Sequence, residues 1–198
     1  MNIGDQLNET VENWNLLNHP FYQSWNEGKL SVDDIALYAS EYGGFISILS
    51  EGWSSLGETE YAREEDEHVI LWQKFAGAVN TKIKPTSIEK VNELIGTARN
   101  LFTDKPSSIG AMYAFEIQQP GTASTKLEAL RKFYSLDPET SEEYFYEHCH
   151  NEHESDLLLE MTEDLSVDEK VACIDACAEM SEALWDALTG IQEKCSLS

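Results

Sequence analysis

The sequence predicts an all-α protein, a compact helical bundle, on three observations. Apolar residues recur at three- and four-residue intervals along nearly the whole chain, and alternating strand-like runs of Val, Ile and Thr are missing. Capping signals divide the pattern: a Ser or Thr followed three positions later by an acid satisfies the free N–H groups of a first helical turn. Four such pairs occur, at Ser31/Asp34, Thr86/Glu89, Thr140/Glu143 and Ser166/Glu169.

Each element follows from these marks. The first helix, about 5–18, ends at His19-Pro20, and the second, about 32–57, opens behind Ser31 and stops at Gly57. The third, about 59–79, precedes Lys84-Pro85; the fourth, about 87–102, opens behind Thr86 and ends before Lys105-Pro106. The fifth covers about 108–134, the sixth about 141–164 behind Thr140, and the seventh about 167–194 behind Ser166. Two features conflict with helix propensity. Gly43-Gly44 strips side chains from the second helix where a neighbour or ligand could approach the backbone. Pro120 cannot donate to the carbonyl of Glu116, so the fifth helix should kink beside that acid.

No repeat, low-complexity tract or long linker divides the 198 residues, so one domain over 1–198 is expected. With 37 acidic against 13 basic side chains the formal charge is −24, a surface unsuited to nucleic acid or anionic membrane, which need clustered Lys and Arg. No apolar run approaches the roughly 20 residues of a membrane span, and the first ten residues lack a secretory pattern, so a cytoplasmic protein is expected, with a homodimer as its assembly. Cys149, Cys173, Cys177 and Cys195 contain no CxxC, which disfavours a zinc ribbon or thioredoxin-type pair and suggests reduced, packed thiols.

Three stretches carry ligand chemistry. Glu64 and Glu65 precede His68 by four and three residues and share its helix face; Glu116 is an acid between Tyr113-Ala114-Phe115 and Ile117; and three of the five histidines, His148, His150 and His153, fall beside Glu147 and Glu152. His148 and Glu152, one turn apart in the expected sixth helix, should face inward together. Mixed carboxylate and imidazole favours non-haem iron or manganese over structural zinc, which prefers thiolate, and over magnesium or calcium, which prefer oxygen shells. Solvation of the acids and a Glu116–Lys126 ion pair are the plainer readings of the same residues. A ferritin-like di-iron bundle is the lesser version of the metal idea: Glu65/His68 and Glu147/His150 fit its Glu-x-x-His spacing, but Glu116 is the one obvious further carboxylate.

Four segments carry a family resemblance: Asn18-His19-Pro20-Phe21-Tyr22-Gln23-Ser24-Trp25 with Gly28-Lys29-Leu30; His68 through Phe75; Tyr113 through Pro120 with Lys126 through Leu130; and Tyr144-Phe145 with His148. In this order the chain resembles the haem-oxygenase-like superfamily of TenA, PqqC and the chlamydial protein associating with death domains (CADD), most closely the CADD-like branch of di-metal oxidases. The resemblance implies a non-haem iron or manganese/iron centre that activates dioxygen, and no nucleotide cofactor. It implies metal ligands at His68, Glu116 and His148, with Glu152 at the aspartate of a His-x-x-x-Asp-x-x-His pattern. Two expected ligands fall instead on Ser155 and Tyr61, so Glu64 or Glu65, and His153 or Asp156, stand as replacements. It further implies formation of p-aminobenzoate for folate biosynthesis by self-sacrificing oxidation of Tyr22, with Lys126 as amino donor, in a pocket that Trp25, Tyr38, Tyr42, Trp72 and Tyr113 could wall. The substrate is then self-derived or a small molecule. The alternatives are a TenA-like aminopyrimidine hydrolase of thiamin salvage using Cys149, and a non-catalytic binding or interaction protein that retains the fold.

Overall fold

The computed structural model describes residues 2–150 and 153–195, and among them every regular element is helical. In chain order these are α1 (Ile3–Glu12), a 3-10 turn (Leu16–Asn18), α2 (Pro20–Asn26), α3 (Val32–Ile46), α4 (Leu49–Leu56), α5 (Thr59–Ala78) and α6 (Glu89–Leu101). There follow α7 (Lys105–Glu116), α8 (Gln119–Phe133), α9 (Pro138–Ser141), α10 (Glu143–His148), α11 (His153–Met161) and α12 (Val167–Gln192). The long α12 packs most extensively on α7 and then α6, α4 folds back on α5, and α10 lies against α8 and α5. Buried apolar side chains from α1 to α12 form one contiguous cluster.

The all-α expectation holds, and the third and seventh expected helices match α5 and α12 closely. The fourth is α6 within two residues at each end, and the remaining four divide, each for a local reason. The first ends at Glu12, after which Asn15 turns its side chain onto the Leu17 N–H and starts the 3-10 turn. His19-Pro20 is not only a stop: Pro20 opens α2, where its missing N–H costs nothing, and the His19 ring accepts from the Phe21 N–H. The second breaks at Ser47–Ile48, where the Ser47 hydroxyl donates to the Gly43 carbonyl. The fifth parts into α7 and α8 immediately after Glu116, a full break where Pro120 predicted a kink. The sixth becomes α9, α10 and α11.

Of the four expected capping boxes, Ser31/Asp34 and Ser166/Glu169 form. Thr86/Glu89 does not: Thr86 and Ser87 instead bond the Glu41 carboxylate on α3, which also accepts from the Ser87 and Ile88 N–H groups. Burial alone would raise the Glu41 pKa, but these bonds hold it below its ordinary value. Thr140/Glu143 does not form either, because Asp137 caps a helix that starts at Pro138.

Two glycines set close helix contacts, one between α3 and α5 and one between α7 and α12. Gly43 leaves room for the Trp72 indole, whose Nε1 donates to the Ala39 carbonyl at 2.8 Å. Gly110 lets α7 meet the backbone of α12, since a Cβ there would fall 1.9 Å from the Cys173 carbonyl oxygen. Gly110→Ala should therefore destabilise the protein by about 3 kcal/mol or prevent folding, as read by urea unfolding; a neutral result would contradict the close α7–α12 contact.

His19 is buried with Nδ1 accepting from Phe21, so its proton sits on Nε2, which donates to the Thr189 hydroxyl at 3.0 Å. Burial lowers its pKa to about 4. Because the folded value lies below the unfolded one, this neutral ring contributes stability above the unfolded pKa, and the contribution is lost as pH falls from roughly 6.5 to 4. His19→Asn keeps a capping side chain without the titration. Between pH 7 and 4 the native chain should lose up to about 3 kcal/mol more than this variant in urea unfolding, and equal losses would contradict the assignment.

Candidate metal centre

Acids and imidazoles from α5, α7, α10 and α11 meet inside the bundle. The α5 spacing that places Glu65 and His68 on one face turns Glu65 fully inward, at 1% exposure, with His68 partly covered beside it. The break after α7 leaves Glu116 at the last helical position, 2% exposed. From α11 comes Glu154, also 2% exposed. One carboxylate oxygen from each of Glu65, Glu116 and Glu154 lies within 4.8 Å of the others. A second group of the same compactness joins Glu154 to Glu64 and His153 at the edge of the bundle.

His148 shows what this arrangement is set up to do. Its Nδ1 is 2.7 Å from the Tyr144 carbonyl, which can only accept, so Nδ1 carries the proton and Nε2 exposes a lone pair. Burial first, and then His68, lowers the His148 pKa to about 3, so the ring stays neutral. Nε2 is buried and has no hydrogen-bond partner among the described residues, and the same is true of both Glu65 oxygens, Glu116 Oε1 and His68 Nδ1. The His68 and His148 rings lie 4.4 Å apart, and Tyr144 stacks on His148 at 4.1 Å. His68 Nδ1 sits 3.5 Å from Glu65 Oε2, within ion-pair range but outside hydrogen-bonding geometry. Burial would lower the His68 pKa, yet Glu65 raises it on balance.

Burial, followed by the charges of Glu154 and Glu65, pushes the Glu116 carboxyl well above its ordinary range, and burial likewise raises Glu65 despite His68. Unpaired oxygens, a free imidazole lone pair and mutual repulsion of acids are the marks of a site completed by a cation. The oxygen and nitrogen donors, without thiolate, fit iron or manganese.

Beside this cluster lies a cavity of about 10 Å3, lined in part by Tyr22, Tyr38, Tyr42, Trp72, Lys126 and Tyr144. Lys126 is 4% exposed, and its Nζ sits 3.9 Å above the Tyr22 ring and donates to Tyr38 Oη at 3.2 Å. The Tyr22 and Tyr38 hydroxyls are 3.0 Å apart. No carboxylate pairs with Lys126 among the described residues, and burial drives its pKa well below the ordinary lysine value. The expected Glu116–Lys126 pair is therefore absent there.

The sequence reading placed Glu64, Glu65, His68, Glu116, His148 and His153 in ligand positions, and the structure brings Glu65, His68, Glu116 and His148 together, with Glu64 and His153 beside them. Glu152 lies outside the described residues. Asp156 is exposed, and Tyr61 stacks on Trp53 at 4.8 Å. Glu154 was missed. In an unbroken sixth helix it would point away from His148, but α10 ends at His148 and α11 restarts with Glu154, Ser155 and Leu158 as its buried side chains. Tyr38, Tyr42 and Trp72 wall the cavity as expected, whereas Trp25 and Tyr113 do not line it. Cys149 is also outside it, its thiol donating to the Tyr146 carbonyl.

Residues 51–188, more than half of the chain, match the family described as iron-containing redox enzymes, Haem_oxygenas_2. The chain belongs to this family. Among curated proteins, this family member is 26% identical over 225 residues to the 4-aminobenzoate synthase of Nitrosomonas europaea, covering 95% of the chain and 90% of that relative. It is 26% identical over 218 residues to the 4-aminobenzoate synthase of Chlamydia muridarum, covering 98% and 91%. A solved domain of unknown function with a haem-oxygenase-like fold from Shewanella denitrificans superposes with a TM-score of 0.82 at 16% identity, covering 98% of the chain and 93% of that domain. TenA homologues and a CADD-like protein share the fold, as the resemblance implied for the architecture. No helix among the described residues is long and apolar enough to cross a membrane.

Glu116→Gln keeps the shape of the side chain and spares this position the cost of either holding a charge or taking up a proton among the other acids. In the metal-free enzyme near pH 7 it should raise stability by about 1–2 kcal/mol in urea unfolding; a loss would contradict the view that the acids repel one another.

Proposed function

We propose that this family member makes 4-aminobenzoate from its own Tyr22, with Lys126 supplying the nitrogen and a non-haem iron or manganese/iron centre held by Glu65, His68, Glu116, His148 and Glu154. Glu64 and His153 complete the outer edge of that centre, and Glu152, at the family's aspartate position, belongs to the same ligand set. Bound metal would supply dioxygen activation, which closed-shell side chains lack.

The observation that carries this reading is a buried amine, without a carboxylate partner among the described residues, held 3.9 Å above a buried tyrosine ring next to a cavity too small for an aromatic guest. A space of about 10 Å3 is at the lower limit for one water-sized molecule, so a diffusible benzenoid substrate does not fit. The ring within reach is that of the chain itself. Burial shifts Lys126 toward the neutral amine, which has the lone pair a new carbon–nitrogen bond needs. Tyr38 receives the Lys126 hydrogen bond and touches the Tyr22 hydroxyl, so it fixes both groups in orientation. Tyr144 lies in the cavity wall and against His148, joining the two halves of the site and excluding water between them.

The chemistry also fits the named relatives. 4-Aminobenzoate keeps a six-carbon ring with one attached carbon, as tyrosine offers through its ring and Cβ. The change requires cleavage of Cα–Cβ, oxidation of Cβ to carboxylate with dioxygen as the oxidant, loss of the phenolic oxygen as water, and transfer of nitrogen from Lys126 with cleavage of its Nζ–Cε bond. Folate biosynthesis is the context that consumes such a product, and a homodimeric cytoplasmic protein without nucleic-acid partners accords with the charge of −24. The thiamin-salvage alternative is disfavoured because Cys149 lies outside the cavity and an aminopyrimidine exceeds its volume.

The test uses protein with carbon-13 in its tyrosine rings and nitrogen-15 in its lysine side chains, loaded with iron anaerobically and then exposed to air. Mass spectrometry should find doubly labelled 4-aminobenzoate at no more than one per chain, abolished in Tyr22→Phe and in Lys126→Arg. Unlabelled or multiple-turnover product would overturn the self-derived substrate. Glu154→Ala should weaken iron binding by roughly 100-fold or more in equilibrium dialysis, whereas unchanged affinity would remove Glu154 from the ligand set.

A further inference from the structure

If, as proposed above, the Tyr22 ring becomes the product, an aromatic acid is formed at a buried position beside a cavity far smaller than itself. Cavities that admit benzene measure roughly 150 Å3, and the space beside Tyr22 measures about 10 Å3. Part of the wall must move, and one stretch of it is a single layer thick. A groove of about 480 Å3 runs over the outside of the bundle, between α1 and the α7–α8 junction. Gln118 and Thr122 line both this groove and the inner cavity, while Leu16 faces the cavity and its neighbour Leu17 the groove.

The Leu16–Asn18 turn in this wall is built as a unit. Asn15 caps it from within through the Leu17 N–H, and the turn closes on itself through Asn18 N–H to the Asn15 carbonyl. A clasp ties it to the rest of the protein: Gln118 Oε1 accepts from the Leu16 N–H at 2.8 Å, and Gln118 Nε2 donates to the Ala114 carbonyl at 2.9 Å. Gln118 can make this span because it stands at the junction of the two helices, where its N–H donates to the Phe115 carbonyl, its own carbonyl accepts from the Thr122 N–H, and its side chain is left to reach the turn. The side chain that bridges the turn to α7 is therefore placed by the same proline-induced break that ends α7 at Glu116.

We infer that the Leu16–Asn18 turn is a door, latched by Gln118, through which an aromatic product passes from the Tyr22 cavity into the outer groove. Opening breaks the Leu16–Gln118 bond and swings Leu16 outward as Leu17 moves into the groove. The groove carries Glu9 and Glu12, so a product carboxylate is repelled from it into solvent rather than retained.

The door can be tested apart from the oxidation. Tyr22→Ala leaves a ring-sized void for phenol as the probe, and phenol binding is followed by quenching of tryptophan fluorescence in stopped flow. Adding Leu17→Cys and Gly121→Cys allows the turn to be tethered to α8 by a short bis-maleimide, since a Cβ at Gly121 would lie 3.5 Å from Leu17 Cδ1. Tethering should slow phenol uptake at least tenfold, and Gln118→Leu in the untethered protein should speed it roughly tenfold, as loss of two ordinary hydrogen bonds allows. Equal uptake in tethered and untethered protein overturns the door, whatever the fate of Tyr22. Gated phenol uptake with no 4-aminobenzoate from the native chain would instead keep the door and remove the self-derived substrate. Should Tyr22→Ala fail to fold, amide exchange at Leu16 and Leu17 in the otherwise native chain reads the same motion. It should be faster in Gln118→Leu and suppressed by the tether, and rates unaffected by either would overturn the proposal.

Discussion

Glu65, Glu116 and Glu154 bring carboxylate oxygens within 4.8 Å of one another in a region closed to solvent, and the rest of the structure has to accommodate that crowding. Two unit charges at such a distance repel by on the order of 3 kcal/mol at an effective dielectric of about 20. Three of them, without a compensating cation, would consume much of the stability of an ordinary domain. The bundle holds them in place by packing. Gly110 brings α7 against α12, Gly43 admits the Trp72 indole, and Glu41 fastens the start of α6. Local stability is exchanged for a preformed site, a common arrangement where chemistry is done.

The second half of the site obeys the same logic with the opposite charge. Lys126 is buried as an amine without an acid to pair with among the described residues, while Glu65, Glu116 and Glu154 crowd one another. An ion pair between the two would relieve both, and the fold keeps them apart by inserting Tyr144, Trp72 and the His148 ring. Such separation is in keeping with the proposed uses of each group, the acids with metal and the amine with the Tyr22 ring.

Much of this was legible in the sequence, and the reasons for the gaps are physical. Apolar periodicity identified the helices but passed over their interruptions, because a break of two or three residues leaves the spacing of apolar positions nearly intact. Breaks with a chemical mark were visible: Pro120 announced the end of α7, and Gly57 the end of α4. Those made by side chains were not, such as the Ser47 hydroxyl on the Gly43 carbonyl or Asn15 on Leu17. The caps show the same contrast, since Ser31/Asp34 is local while the Glu41 fastening joins residues more than forty apart. In the site, Glu65, His68, Glu116 and His148 could be named from residue type and local setting. Glu154 could not, because its direction depends on how the chain turns between His148 and α11 rather than on any spacing within a helix.

The account therefore stands on the claim that these buried acids and imidazoles are a metal site and not a strained relic of one. Anomalous scattering at the iron and manganese edges, from crystals of anaerobically metal-loaded protein, reads this directly. The account predicts a peak bonded to oxygens of Glu65, Glu116 and Glu154 and to at least one of His68 and His148. Metal confined to surface carboxylates, with the inner acids hydrogen-bonded to one another, would contradict it.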